Sequence, residues 1–260
     1  MSKDIAPILA DWEFDAEEMQ VRLVTGLDGR EKLQRRLDLG LFQMELDGRP
    51  DGTRPHGRES ALDHFEALAE ATSTDFVLDE AALGELMREG VQYYHRYTAL
   101  FHLERFDLVA RDTERNLRLF AFVVRHAADL RDRMQFDQYR PYVTMMRARA
   151  LGLRALEHKD WRAAIERIDE GIGGIRAFLR EYSQTASEVN CPELDFLARW
   201  RRQVERERTI GPVERLEEQL GHAVALEQFE EAARLRDQIH RLRGPKTPQS
   251  PAPDSGQSVP

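Results

Sequence analysis

Residues 148–168 read ARALGLRALEHKDWRAAIERI, and their pattern decides the architecture. Ala148, Leu151, Gly152 and Ala155 recur at spacings of three and four, which places them on one helical face. His158-Lys159-Asp160 interrupts the pattern, and it restarts at Trp161 with Ala164, Ile165 and Ile168. Two amphipathic helices joined by a short polar break form an αα-hairpin. Upstream the first helix reaches back to Pro141, a favoured first-turn residue, through Val143 and Met146. Downstream the second continues through Ile172, Ile175 and Leu179. Gly171, Gly173 and Gly174 lie within it and either permit close helix approach or mark a break.

The same signal extends towards the N-terminus. Leu83, Leu86, Met87, Val91, Tyr94, Tyr97, Thr98 and Phe101 predict a long amphipathic helix, with Asp79 as its N-cap. Another starts near Phe106 and carries Leu108, Val109, Leu117, Phe120, Val123 and Val124. Leu103-Glu104-Arg105-Phe106-Asp107 parallels Leu156 to Trp161, so Phe106 aligns with Trp161. A shorter stripe, Leu62, Phe65, Leu68 and Ala69, opens the helical region near residue 58.

Residues 1–57 read differently. Gln20 to Thr25 predicts a strand, Asp28-Gly29 a tight turn, and Leu37, Leu39 and Leu41 alternate with period two. Leu33, Leu37, Leu41 and Met44 also fit a helix, but Gly40 is costly there and favours a β-hairpin. Residues 47–57 form a Gly/Pro-rich loop that could present Arg49, Asp51, Arg54 and His56 to a ligand, or serve as a connector whose arginines pair with acids. The chain thus divides into an N-terminal β-hairpin and loop (1–57), a helical body (58–190), a charged linker helix (191–212), a helical hairpin (213–243) and a disordered tail (244–260). The fold class is mainly α: an antiparallel helical-hairpin body with a small N-terminal β-hairpin and a C-terminal αα-hairpin.

The helical body resembles degenerate tetratricopeptide repeats. The Leu151-Gly152 pair, the turn aromatic Trp161 and the small Ala164 match that family's pattern. Ala148 and Ala155 replace its usual aromatics. The 55-residue spacing between Phe106 and Trp161 departs from the family period of about 34, which leaves a plain antiparallel bundle as the alternative.

Residues 213–243 read VERLEEQLGHAVALEQFEEAARLRDQIHRLR. Leu216, Leu220 and Ala223 or Val224 share one helix face. Phe229, Ala232, Leu235 or Arg236, Ile239 and Leu242 form a second. This stretch resembles the UVR motif, the helical hairpin of the nucleotide-excision-repair proteins UvrB and UvrC and of some Clp-protease regulators. The segment from Phe229 to Ile239 carries the specific part. The resemblance implies a bacterial protein, coiled-coil-like packing, and protein–protein contact through Leu216, Leu220, Phe229, Ala232, Ala233, Arg236 and Ile239. A hairpin this small does not stabilise itself, so its outer apolar edge calls for a partner helix or a second copy that completes a four-helix bundle.

Composition narrows the function. One cysteine, Cys191, excludes internal disulfides and the Cys-based zinc modules of other UVR proteins. None of the histidines has metal-ligand spacing; His95 and His102, seven apart on one helix, come nearest. Phosphate-binding glycine loops and nucleophile–base motifs are absent from the sequence, so neither an enzyme nor a cofactor is expected. No apolar run is long enough to span a bilayer, and the acidic N-terminal stretch lacks signal-peptide character, which implies a cytoplasmic protein without membrane contact. The formal net charge of −9 argues against general nucleic-acid binding. However, residues 93–155 hold twelve arginines against seven acids, with Arg111, Arg115, Arg118 and Arg125 in a stripe. The leading expectation is therefore an interaction adaptor or scaffold for a Clp-type or repair complex. The alternative is a nucleotide-excision-repair accessory that contacts DNA through the basic body.

Overall fold

Turn chemistry shapes the N-terminal segment of the computed structural model, which describes residues 4–72, 76–182, 190–208 and 212–243. After a single turn, α1 (Ala6–Leu9), three strands form an antiparallel meander: β1 (Val21–Thr25), β2 (Glu31–Leu37) and β3 (Gly40–Glu45). Gly29, at φ 76°, closes the first turn, and the Asp28 carboxylate accepts the Arg30 N–H at 3.1 Å. The second turn corrects the expectation of a single hairpin. Leu37 pairs with Gly40 across Asp38-Leu39, so the leucine alternation spans a turn instead of lying on one strand. Asp38 accepts the Leu39 N–H at 2.8 Å, and Leu39 is 91% exposed at the tip. A polar turn-former beside Gly40 outweighed the period-two pattern.

The first long helices begin at side-chain caps. Ser60 accepts from Asp63 N–H ahead of α2 (Ala61–Ala71), and Asp79 from Ala82 N–H ahead of α3 (Glu80–His102), as its sequence position predicts. α4 (Phe106–His126) returns against α3. The short α5 (Leu130–Asp137), capped by Asp129, was not legible in the apolar pattern. α6 (Arg140–Glu157) and α7 (Trp161–Glu181) form the hairpin read from the sequence. α8 (Pro192–Glu207) packs on α7; the expected extension of this charged helix to Ile210 lies outside the described residues, as does the tail from 244.

The glycines of α7 serve close approach. A side chain at Gly171 would lie 2.6 Å from the Ala148 Cβ and 3.0 Å from Leu197 Cδ1. One apolar cluster joins Leu33 and Met44 of the sheet to Tyr97, Leu100, Val109, Ile168, Ile175 and Leu197. A second links Leu62, Phe65, Leu86, Leu119, Val123 and Phe136. The sheet therefore shares its core with the helices.

The chain separates into two compact units that divide after Glu207. In the second, α9 (Pro212–Ala225) and α10 (Phe229–Arg243) form a helical hairpin.

One helix-to-helix turn recurs three times. Glu104, Lys159 and Glu227 have φ of 56°, 58° and 57°. The next residue in each case donates its N–H five residues back: Arg105 to Leu100 O at 3.0 Å, Asp160 to Ala155 O at 2.9 Å and Gln228 to Ala223 O at 2.9 Å. This is the hydrogen-bond pattern of a Schellman cap. Each turn delivers an aromatic, Phe106, Trp161 or Phe229, as the first residue of the following helix.

Candidate functional site

The C-terminal hairpin has two faces along α10. Ala232, Leu235 and Ile239, spaced three and four apart, are buried. Ala223, Ala232 and Leu235 form a small cluster with Leu216 and Leu220 packed against it. This seam settles two ambiguities of the sequence: Ala223 points inward and Val224 outward, Leu235 inward and Arg236 outward. Phe229, Ala233 and Arg236 fall at positions i, i+4 and i+7 of the other face and are exposed. Phe229 is 70% exposed, although it opens the helix as Phe106 opens α4.

The structure thus places the seven expected contact residues on two faces. Leu216, Leu220, Ala232 and Ile239 hold the hairpin together, whereas Phe229, Ala233 and Arg236 present a surface. Val224 and Leu226 add exposed apolar area around the turn, and Leu242 adds more near the end of α10. Val224, the alternative to Ala223 for the inner face in the sequence pattern, thus lies on the outer surface with Leu226. The face is lightly charged: Arg234 pairs with Glu231 at 3.2 Å and Arg236 with Asp237 at 3.3 Å, all largely solvated.

The unit is an αα-hairpin with a closed seam and an exposed aromatic at its turn. Residues 212–244 match the UVR family, described as the UvrB/uvrC motif. The chain therefore carries a UVR motif at its C-terminal hairpin, a module that generally mediates protein interactions. No curated protein and no solved structure matches the chain.

The loop residues Arg49, Asp51, Arg54 and His56 are engaged within the body. Arg49 Nε lies 3.0 Å from the Glu89 carboxylate, and its Nη1 donates to Thr53 Oγ1 at 2.6 Å. Asp51 accepts from the Thr53 N–H and from Gln92 Nε2, each at 3.0 Å. Arg54 pairs with Glu59. His56 lies 3.1 Å from Glu85 and stacks on His64 with ring centroids 3.9 Å apart. Arg49 and Asp51 pair at 3.5 Å and share Thr53, whereas Arg54 and His56 each engage a different acid, so the four do not converge on one point.

Behind the loop lies a buried polar network that the sequence reading missed. Glu89 is fully buried and accepts the backbone N–H of Ala61 at 2.8 Å and of Leu62 at 3.1 Å, so its carboxylate caps the start of α2. Arg115 also pairs with it. Arg96, 1% exposed, grips Asp112 through two bonds of 2.6 and 2.8 Å and donates to the Glu45 and Gly48 carbonyls at 2.9 and 2.8 Å. Tyr93 lies beneath both guanidiniums. Helical periodicity counts apolar residues only, so it carries no signal for these charges.

The network also absorbs most of the arginine stripe. Arg111 pairs with Asp47 at 2.9 Å and Asp112 at 3.0 Å, Arg115 with Glu89, and Arg118 with Asp63 and Glu66. Only Arg125 of the four stands exposed without a partner among the described residues. The local excess of arginine is thus largely neutralised by acids from the loop, α2 and α3. His95 packs against Phe42 and lies 3.2 Å from Arg35, while His102 is exposed. Among the described residues no cluster of His, Cys, Asp and Glu is arranged to hold a metal, and no helix is long and apolar enough to cross a membrane. Cys191 is buried beside Glu193 at 3.5 Å, and burial pushes its thiol pKa up.

Proposed function

We propose that this chain is a non-catalytic protein-interaction adaptor, acting in the cytoplasm, whose C-terminal UVR hairpin docks an apolar helix of a partner or of a second copy. The observation that carries this reading is the exposure of Phe229, together with Val224 and Leu226, on a hairpin whose inner seam is already closed. Covering an aromatic of this size contributes about 2 kcal/mol, and Ala233 beside it leaves room for a helix to approach. The UVR match supports a role in regulating a Clp-type or repair complex.

Affinity purification of the full chain and of its Phe229→Asp variant tests the reading. The variant should lose the partner, or the dimer in sedimentation, while circular dichroism of the body stays unchanged. An identical partner set and sedimentation coefficient would refute it. The DNA-contacting alternative gains no support from the arginine stripe, whose charges are mostly paired internally.

A further inference from the structure

A shallow groove of about 510 Å³ runs along α8, lined by Phe196, Arg199, Trp200, Arg202, Gln203 and Arg206. Phe196, Arg199, Gln203 and Arg206 recur at spacings of three and four, so they share one face of the helix. Leu194, Leu197 and Val204 of the same helix are buried in the core of the body. Trp200 seats the groove on α6, where a side chain at Gly152 would lie 2.7 Å from the indole.

Arg149 of α6 meets the same face. Its guanidinium carbon lies 4.4 Å from the ring centroid of Phe101 and 4.7 Å from that of Phe196. The side chain is half-buried and its Nη1 lies 3.6 Å from Met146 Sδ, but no carboxylate reaches it among the described residues. Burial lowers its pKa, and no acid offsets that effect. Arginine nevertheless stays protonated, so a partly desolvated cation stands here without a counter-charge. The other arginines packed in the body differ: Arg49, Arg96, Arg115 and Arg140 each meet an acid. On α8, Arg202 and Arg206 are exposed and also lack a carboxylate partner among the described residues. The acids of that helix are engaged elsewhere: Asp195 by Arg199, Glu205 by Arg201, Glu207 by Gln203 and Glu193 by the Cys191 thiol.

We infer that this face of α6 and α8 docks an acidic segment of a partner protein, with one carboxylate on Arg149 and others on Arg202 and Arg206. Charge complementarity carries the inference. A guanidinium presents a planar fork of donors that matches a carboxylate, and ring contacts hold that of Arg149 in place before the partner arrives. Acids spaced three or four apart on a partner helix match the spacing of Arg202 and Arg206. A nucleic-acid strand offers anionic groups too, but its bases need open ring faces on which to stack. Here Phe196 already holds Arg149 and lies 6.4 Å from Trp200, which packs on Gly152. The site belongs to the first unit and does not rest on the reading of the C-terminal hairpin.

Fluorescence anisotropy on the full chain near physiological salt tests the inference with three labelled probes: a hexaglutamate peptide, its hexaglutamine analogue and an oligothymidine. Hexaglutamate should bind about tenfold more tightly than hexaglutamine, and more tightly than the oligothymidine. Arg149→Gln should weaken it about tenfold, and so should the double substitution Arg202→Gln with Arg206→Gln, which touches solvent-exposed positions alone and leaves the melting curve in place. Arg125→Gln, at an exposed arginine of α4, removes the same charge elsewhere and should leave binding unchanged. No binding of hexaglutamate, equal binding of hexaglutamine, tighter binding of the oligothymidine, undiminished binding in the double variant, or an equal loss in Arg125→Gln would overturn it.

Discussion

Phe106 and Phe229 occupy the same place in the same turn and have opposite fates. Each follows a left-handed residue and a Schellman-type cap, and each begins a helix. Phe106 is 8% exposed because the body supplies further helices to cover it; Phe229 is 70% exposed. A local motif fixes where an aromatic is placed, and the surroundings decide whether it becomes core or exposed surface. The polar residues repeat the contrast. Arg96 and Glu89 are buried among hydrogen-bond and ion-pair partners, while Arg236 lies in solvent.

The largest expected effect comes from breaking the polar anchor of the body. Arg96→Ala leaves the buried Asp112 with Arg111 alone, strips the Glu45 and Gly48 carbonyls of their donor, and should cost about 3 kcal/mol in urea unfolding. Arg236→Ala in the hairpin should shift the same curve by less than about 0.5 kcal/mol. The aromatic pair follows. Phe106→Ala should destabilise by about 3 kcal/mol, while Phe229→Ala should stay within about 0.5 kcal/mol and act on association instead.

Glycines sharpen the comparison on a smaller scale. Gly171→Ala drives a new methyl against Ala148 and Leu197 and should cost about 1–2 kcal/mol, less than overpacking alone because helix propensity improves. Gly221→Ala in α9 meets nothing within 4 Å and should stabilise the hairpin by up to about 1 kcal/mol, read as increased helical signal on heating. The smallest effects test the equivalence of the turns. Lys159→Gly and Glu227→Gly should each stabilise their own unit by up to about 1 kcal/mol, since both relieve a left-handed non-glycine residue. A loss at either position would mean that the two turns differ.

Most of the architecture was legible because it rests on apolar spacing, caps and turn residues. The hairpin from Ala148 to Ile168, the Asp79 cap, the alignment of Phe106 with Trp161 and the UVR hairpin all follow from local pattern. The third strand did not, because Leu37, Leu39 and Leu41 mimic one strand while Asp38 makes the turn. The network around Glu89 and Arg96 escaped because its charges meet only through contacts between residues far apart in the chain. For the same reason the arginine stripe looked like an open basic face. At the hairpin, periodicity located the apolar positions but could not separate Ala232 and Ile239, which close the seam, from Phe229 and Ala233, which face outward.

Photocross-linking from position 229 tests the central claim most directly. A benzoylphenylalanine placed there should yield a discrete adduct, either a dimer of this chain or a defined partner. The same probe at position 39, on the exposed tip of the sheet, should yield none. Equal labelling at both positions, or none at 229, would contradict the assignment of the hairpin face as an interaction surface.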